Sequence, residues 1–364
     1  MKSTKIGLAF NILLLSFVPN IQAQDVIMGT HNYVEYQKGT FPLVISVPHG
    51  GDLEPSSIPN RTCNDPVYAV DAFTKETALA IKNRLFELTG CYPYIIISHL
   101  KRNKLDPNRS LIDGACYNSQ ARTAWREFHD FITEARNAVN SQFNNQAFFI
   151  DLHGHGNSVQ RIELGYLLYD DELELTDYTL NTTKYINYSS IQSLVSNNEE
   201  GYLHAELLRG KYSLGTLLTD SNYPSVPSQS IPSPGTDTNY FSGGYITANH
   251  TSYDPEVELS GLQMELNYTH VRDTPAHRLA FANAFSDAII KYLNTHFDFN
   301  ENACQLLSET NNVSAPKYLV YPNPLKSGEL IHLDLDKNKT YTYQIFNLIG
   351  QVVDSGVLSS NQTL

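Results

Sequence analysis

Two kinds of hydrophobic pattern alternate along the first half of the chain. Leu43-Val44-Ile45-Ser46-Val47 is a nearly unbroken apolar run, as expected of a strand covered on both faces, and it stops at Pro48-His49-Gly50-Gly51. Ala147-Phe148-Phe149-Ile150 repeats the design and stops at Asp151, His153 and His155. Between these runs the period changes. Across residues 71–88, Phe73, Leu79 or Ala80, Ile81 and Leu85 recur at helical spacing, with Gly90 as the stop. Residues 92–97 read as another strand, emptying into the polar loop 101–109. A helix over 123–143 follows, with Phe128, Ile132, Ala135 and Val139 on one face. This β-α-β-α-β order predicts an α/β fold, a mostly parallel or mixed sheet with helices on both faces. In such sheets ligands collect beyond the carboxyl ends of the strands, where both apolar runs here give way to histidine.

The second half is less regular. A polar segment runs to Glu200, a helical stretch is expected over 203–218, and the proline-rich loop 224–235 reads as a surface connection, an extended path or a lid. Residues 261–268, GLQMELNY, return to strand character with Glu265 in the middle. Thr274-Pro275 then opens a helix that buries Phe281, Phe285, Ile289 and Leu293. The large domain is expected to end near Cys304. From residue 318 the pattern becomes short alternating strands, 319–321, 331–335, 341–346 and 351–358, broken by Pro322-Asn323-Pro324 and Gly350. The YPNP opening and the FNLIGQVV segment of this stretch resemble the C-terminal sorting domain of the type IX secretion system. That family's final glycine-rich strand and basic tail are missing, so truncation is expected there.

Composition adds boundaries. The chain has 364 residues, 41% of them hydrophobic, enough for one large core and a smaller module. A formal net charge of -13 disfavours nucleic acid and anionic membranes as partners, and an anionic substrate would need local arginines to hold it. Residues 1–23 carry a basic start at Lys2 and Lys5, an apolar segment over 6–18 and Ile21-Gln22-Ala23 as a cleavage site, the pattern of a secretory signal. The apolar segment is too short to span a membrane, so the protein is expected to be exported without membrane insertion, to the periplasm and then the cell surface or outside. Cys63, Cys91, Cys116 and Cys304 then lie in an oxidising compartment and allow three disulfide pairings. The expected layout is a signal at 1–23, a catalytic domain over 24–310 and the sorting module over 317–364.

The candidate chemistry follows a telling order: His49, Asp71, Asn108 with Arg109, His153, Arg161 and Glu265. The segments VPHGG, LDPNR, DLHGHG, YFSGGYITANH and QMELN, spread over residues 40–295, resemble the N-formylglutamate amidohydrolase family, a relative of the zinc carboxypeptidases and aminoacylases. The resemblance implies a zinc hydrolase that cleaves an amide of an N-acyl amino acid or short peptide. A catalytic zinc takes three ligands from His, Asp and Glu, and His49 and His153 suit it. The relatives' third ligand is a glutamate three residues after the first histidine. Here that spacing lands on Asp52, with Glu54 close by, yet Asp71 is preferred because a longer loop would bring it to the start of the following helix. His155 is the alternative to His153, and Asp151 could orient a ligand imidazole.

By the same resemblance Asn108 and Arg109 hold a substrate carboxylate, a task that suits the planar guanidinium. Arg161 is expected to polarise the scissile carbonyl or hold a second carboxylate. Glu265 is the expected general base, taking a proton from water and passing it to the leaving nitrogen. Tyr245, after Gly243-Gly244, could close over the substrate. His250 matches the family's histidine, but Ala248 or Asn249 stands where a basic residue is expected, which bears on formylglutamate as the substrate. A secreted carboxypeptidase-like or peptidoglycan-peptide hydrolase is the runner-up, and a binding protein with a decayed site is the alternative from another class.

Overall fold

The structure is a computed structural model that describes residues 24–198, 200–235 and 239–300, with strands between 320 and 359. The chain divides into two compact units, one spanning Gln24–Glu309 and the other holding the strands from Val320 onward. The signal expected at 1–23 and Cys304 lie outside the described residues.

The larger unit is built on a mixed sheet of β1 (Val26–Met28), β2 (Val34–Gln37), β3 (Leu43–Val47), β4 (Tyr94–Ser98), β5 (Phe148–His155), β6 (Ile162–Gly165), β7 (Ser225–Val226) and β8 (Ser260–Asn267). Their order is β1-β2-β4-β3-β5-β8-β6-β7. The centre, β4-β3-β5-β8, is parallel. It is flanked by antiparallel β2 on one side and antiparallel β6 on the other. Three long helices cover it: α1 (Thr74–Thr89), α2 (Ser119–Phe143) and α3 (Pro275–His296).

Residue parity decides which side chains meet which helix. Leu43, Ile45, Val47, Ile150, Leu152, Leu262 and Met264 share a core with Ala78, Ile81 and Leu85 of α1 and Phe281, Phe285 and Ile289 of α3. Val44 and Phe149 face the other way, packing with Phe128, Ile132, Ala135 and Val139 of α2. On that second face the character changes along each strand. Val44 is followed by Ser46, Phe149 by Asp151 and His153, and Gly261 by Gln263 and Glu265. The register aligns them, Ser46 with Asp151 and Gln263, and His153 with Glu265 and Glu163. A buried polar floor thus begins where α2 stops covering the sheet.

Several elements differ from expectation. β5 runs on through His155 and does not stop at Ile150, because Asp151 and His153 find partners within the sheet and need not leave it. The segment expected to be merely polar holds four short helices, Asp170–Leu173, Asp177–Leu180, Thr183–Tyr188 and Gln192–Asn197, each too brief to show a period. The stretch 203–218 breaks into His204–Arg209 and Leu214–Asp220. The proline-rich loop begins as β7 at the sheet edge, with residues 225–228 buried, so its first part is no surface connection. Of the three pairings open to the cysteines, Cys63 bonds Cys116, and Cys91 is also disulfide-bonded. In the second unit Val320–Tyr321 pairs with His332–Leu333 and Thr340–Phe346 with Val352–Ser359, both antiparallel.

Candidate metal centre

His49 follows β3 by two residues, His153 lies within β5, and Asp71 sits in the turn before α1. The turn is stitched to the strand end: the Asp71 amide donates to the His49 carbonyl, and the Thr74 hydroxyl donates to the Asp71 carbonyl. The Asp71 carboxylate accepts from the Gly154 amide at 3.2 Å. One ligand atom from each of His49, Asp71 and His153 then falls within 4.8 Å of the others, and all three side chains are buried. Both imidazole Nδ1 atoms stand 3.2 Å from Asp71 Oδ2.

The opposite ring nitrogens reveal the proton positions. His49 Nε2 meets Asp106 Oδ1 at 2.7 Å, and His153 Nε2 meets Asp151 Oδ2 at 2.8 Å. Each ring lies between two carboxylates that can only accept; a neutral ring has one N–H, which goes to the nearer carboxylate at Nε2 and leaves the Nδ1 lone pair toward Asp71. Two lone pairs and an anion then converge without a donor among them, an arrangement that calls for a cation. The titration tendencies show that the site draws positive charge, as a second proton on the His153 ring where no cation is held. Burial works against charge on His153, but Asp151 and Asp71 outweigh it and hold its pKa well above the usual value. Burial raises the Asp71 pKa, yet His49 and His153 hold it well below the carboxylate range. Histidine ligands backed by carboxylates are the usual second layer of a zinc site, and the donor set fits that ion.

Glu265, 4% exposed, stands opposite His153 in register, with Oε1 4.0 Å from His153 Nδ1 and accepting from the Gln263 amide at 2.9 Å. Burial pushes its pKa up to about 8, with Asp71 and Glu163 adding and His153 and Arg272 opposing. Asn108 also reaches the cluster. Its Nδ2 lies 3.4 Å from His153 Nε2, and its Oδ1 accepts from the Ile246 amide at 2.8 Å. Arg109 is half-buried with Nε 3.5 Å from Asp106 Oδ2.

The remaining candidates stand elsewhere. Arg161 precedes β6, ion-paired with Glu163 at 3.5 Å and donating toward the Pro234 carbonyl. Asp52 is exposed, and Glu54 is taken up by Lys101 and Asn103. His155 bonds the Arg161 carbonyl and the Asn157 amide. Tyr245 opens a short helix, Tyr245–His250, and His250 closes it against His129.

Three contributors were not anticipated. Asp106 anchors His49 and gathers Arg61, Arg102 and Arg109; burial raises its pKa, but His49, Arg102 and Arg61 hold it well below the carboxylate range. Its signal was its place in LDPNR beside Asn108. Arg102 also comes within 3.8 Å of Asp71. Arg272 donates to the carbonyls of Leu266, Ala72 and His155, tying β8, the Asp71 turn and β5 together with one guanidinium.

Residues 319–364 match the family model of a secretion system C-terminal sorting domain. Among solved structures the chain is similar to N-formylglutamate amidohydrolase from Ralstonia eutropha JMP134, at 12% identity and a TM-score of 0.42, over 71% of this chain and 94% of that one. It is similar to a gene product of Agrobacterium tumefaciens at 12% identity and a TM-score of 0.38, over 72% and 95% of the two chains. A candidate carboxypeptidase A from Shewanella denitrificans OS-217 aligns at 11% identity and a TM-score of 0.36, over 76% of this chain and 66% of that one. No curated protein matches the chain in sequence.

Proposed function

We propose that the chain is a secreted zinc-dependent hydrolase of an N-acyl amino acid, resembling N-formylglutamate amidohydrolase. The observation that carries this reading is the convergence of two Nδ1 lone pairs on the Asp71 carboxylate, each ring backed at Nε2 by a second carboxylate. His49, Asp71 and His153 would hold zinc, which supplies Lewis acidity and lowers the pKa of water when bound. Glu265, buried and opposite His153, takes a proton from water and hands it to the departing nitrogen. Its raised pKa suits a group that must both accept and release that proton near neutrality. Asn108 and Arg109 receive the substrate carboxylate, the first from beside His153 and the second from the half-exposed rim. Arg161 serves that end only if the substrate reaches toward β6, where it sits with Glu163. The hydrolase spans 24–310.

The sorting-domain match supports passage through the type IX machinery to the cell surface or outside, with 317–364 as the address. No helix among the described residues is long and apolar enough to cross a membrane. The test is to strip the full chain with a chelator, return zinc in steps and follow hydrolysis of N-formyl and N-acetyl amino acids and dipeptides. Activity should vanish on stripping and return at one zinc per chain. Hydrolysis indifferent to the chelator would overturn the proposal, and cleavage of dipeptides alone would replace it with a peptidase.

A further inference from the structure

A second histidine pair is bonded to the loop that carries Asp106 and Asn108. His129 of α2 and His250 at the end of the short helix are 8% and 5% exposed, with rings nearly parallel and centroids 5.0 Å apart. His129 Nδ1 and His250 Nε2 are 2.7 Å apart, and His129 Nε2 stands 3.1 Å from the Pro107 carbonyl. The tautomers follow by elimination. A carbonyl only accepts, so His129 Nε2 bears the hydrogen. A neutral ring has one N–H, so His129 Nδ1 is a lone pair and His250 Nε2 must donate to it. His250 Nδ1 is then a bare lone pair, buried and without a hydrogen-bond partner. Burial keeps both rings neutral, lowering the His129 pKa to about 4 and the His250 pKa well below its usual value.

The relay ends between two residues of the site. Pro107 joins Asp106, which holds His49, to Asn108, which reaches His153. Pro107 has no N–H of its own, so its carbonyl is the only backbone hydrogen-bonding group by which it can be held. The short helix therefore grips the loop at both ends, through the Ile246 amide on Asn108 Oδ1 and through His250 and His129 on the Pro107 carbonyl.

We propose that His250 and His129 are positioning residues that lock the helix Tyr245–His250 to the loop 106–108 and so hold the Asn108 amide at the substrate site. The inference rests on the proposed role of Asn108 in substrate binding. Its geometry can also be tested without a substrate.

The zinc-loaded full chain is compared with His129→Leu, which breaks the relay, and His129→Gln, whose amide can donate to Pro107 and accept from His250. Amide exchange at Ile246 should quicken at least tenfold in the leucine variant and stay within about twofold of wild type in the glutamine variant. Trp125, the only tryptophan, lies 3.9 Å from the His129 ring and bonds the Arg109 carbonyl, so its emission reports binding of N-formyl-L-glutamate. Binding should weaken about tenfold in His129→Leu, recover in His129→Gln, and weaken no further when His129→Leu is added to Asn108→Ala. Unchanged Ile246 exchange in His129→Leu, equal behaviour of the two His129 variants, or additivity with Asn108→Ala would each overturn the coupling. If the wild type neither binds nor hydrolyses an N-acyl amino acid, the functional reading fails, while the exchange result still decides whether the lock exists.

Discussion

Of all the candidate side chains, Glu265 offers the test that best separates the proposed chemistry from the proposed metal binding. It sits in the strand that pairs with His153 but outside the convergent set of His49, Asp71 and His153. Gln is nearly isosteric and cannot take a proton, so Glu265→Gln should keep full zinc in elemental analysis while turnover falls by about 10²- to 10⁴-fold. Loss of zinc would make Glu265 a ligand, and retained turnover would remove it from the mechanism. The histidines were legible because an apolar run that ends in His is conspicuous, and Glu265 because a carboxylate inside GLQMELNY breaks a buried pattern. Asp71 was legible less directly, through the expected helix start. Asp106 and Arg272 were not. A carboxylate in a polar loop and an arginine after a strand look like solvated residues until the fold gives them partners.

At the scale of elements, the parallel strands β3, β4, β5 and β8 and the three long helices were readable because burial marks them with apolar runs or a helical period, whereas β1, β2, β7 and the short helices from 170 to 197 were not, because two to four strand residues or one or two helical turns carry too little pattern. Element length also sets how the site is braced. β5 continues as strand through Gly154, and a Cβ there would collide with the Arg272 guanidinium, whose bonds reach Ala72 beside Asp71. Gly154→Ala should thus push the guanidinium off its three carbonyls, costing about 1–3 kcal/mol of stability and weakening zinc at least tenfold in a chelator competition. Gly156→Ala is the control, since a Cβ there meets nothing within 4 Å, and it should leave zinc affinity unchanged. Equal behaviour of the two variants would show that Arg272 does not brace the ligands.

The whole molecule adds an address and a pH limit. With export assigned to the tail, deleting 317–364 should leave zinc-dependent hydrolysis intact and stop release from the cell; normal release would remove the sorting role. The pH limit comes from buried neutral histidines far from the zinc candidates. His204 donates from Nδ1 to the Leu180 carbonyl at 2.7 Å, and burial lowers its pKa to about 4. An unfolded chain binds a proton at this ring near pH 6.5, whereas the folded chain does so only near 4, so stability is lost as pH falls between those values. Asp106 acts lower, because a carboxylate held below its usual range withdraws stability only once the pH drops beneath about 4. Glu265 has the opposite sign, its raised pKa removing stability as pH rises, so the overall profile mixes several groups. A difference measurement isolates one of them. His204→Gln keeps a donor for Leu180 and cannot titrate, so denaturant unfolding of the variant and wild type should diverge in the variant's favour by roughly 2 kcal/mol between pH 7 and pH 5. A constant difference across that range would mean that His204 titrates in the folded chain as it does in water.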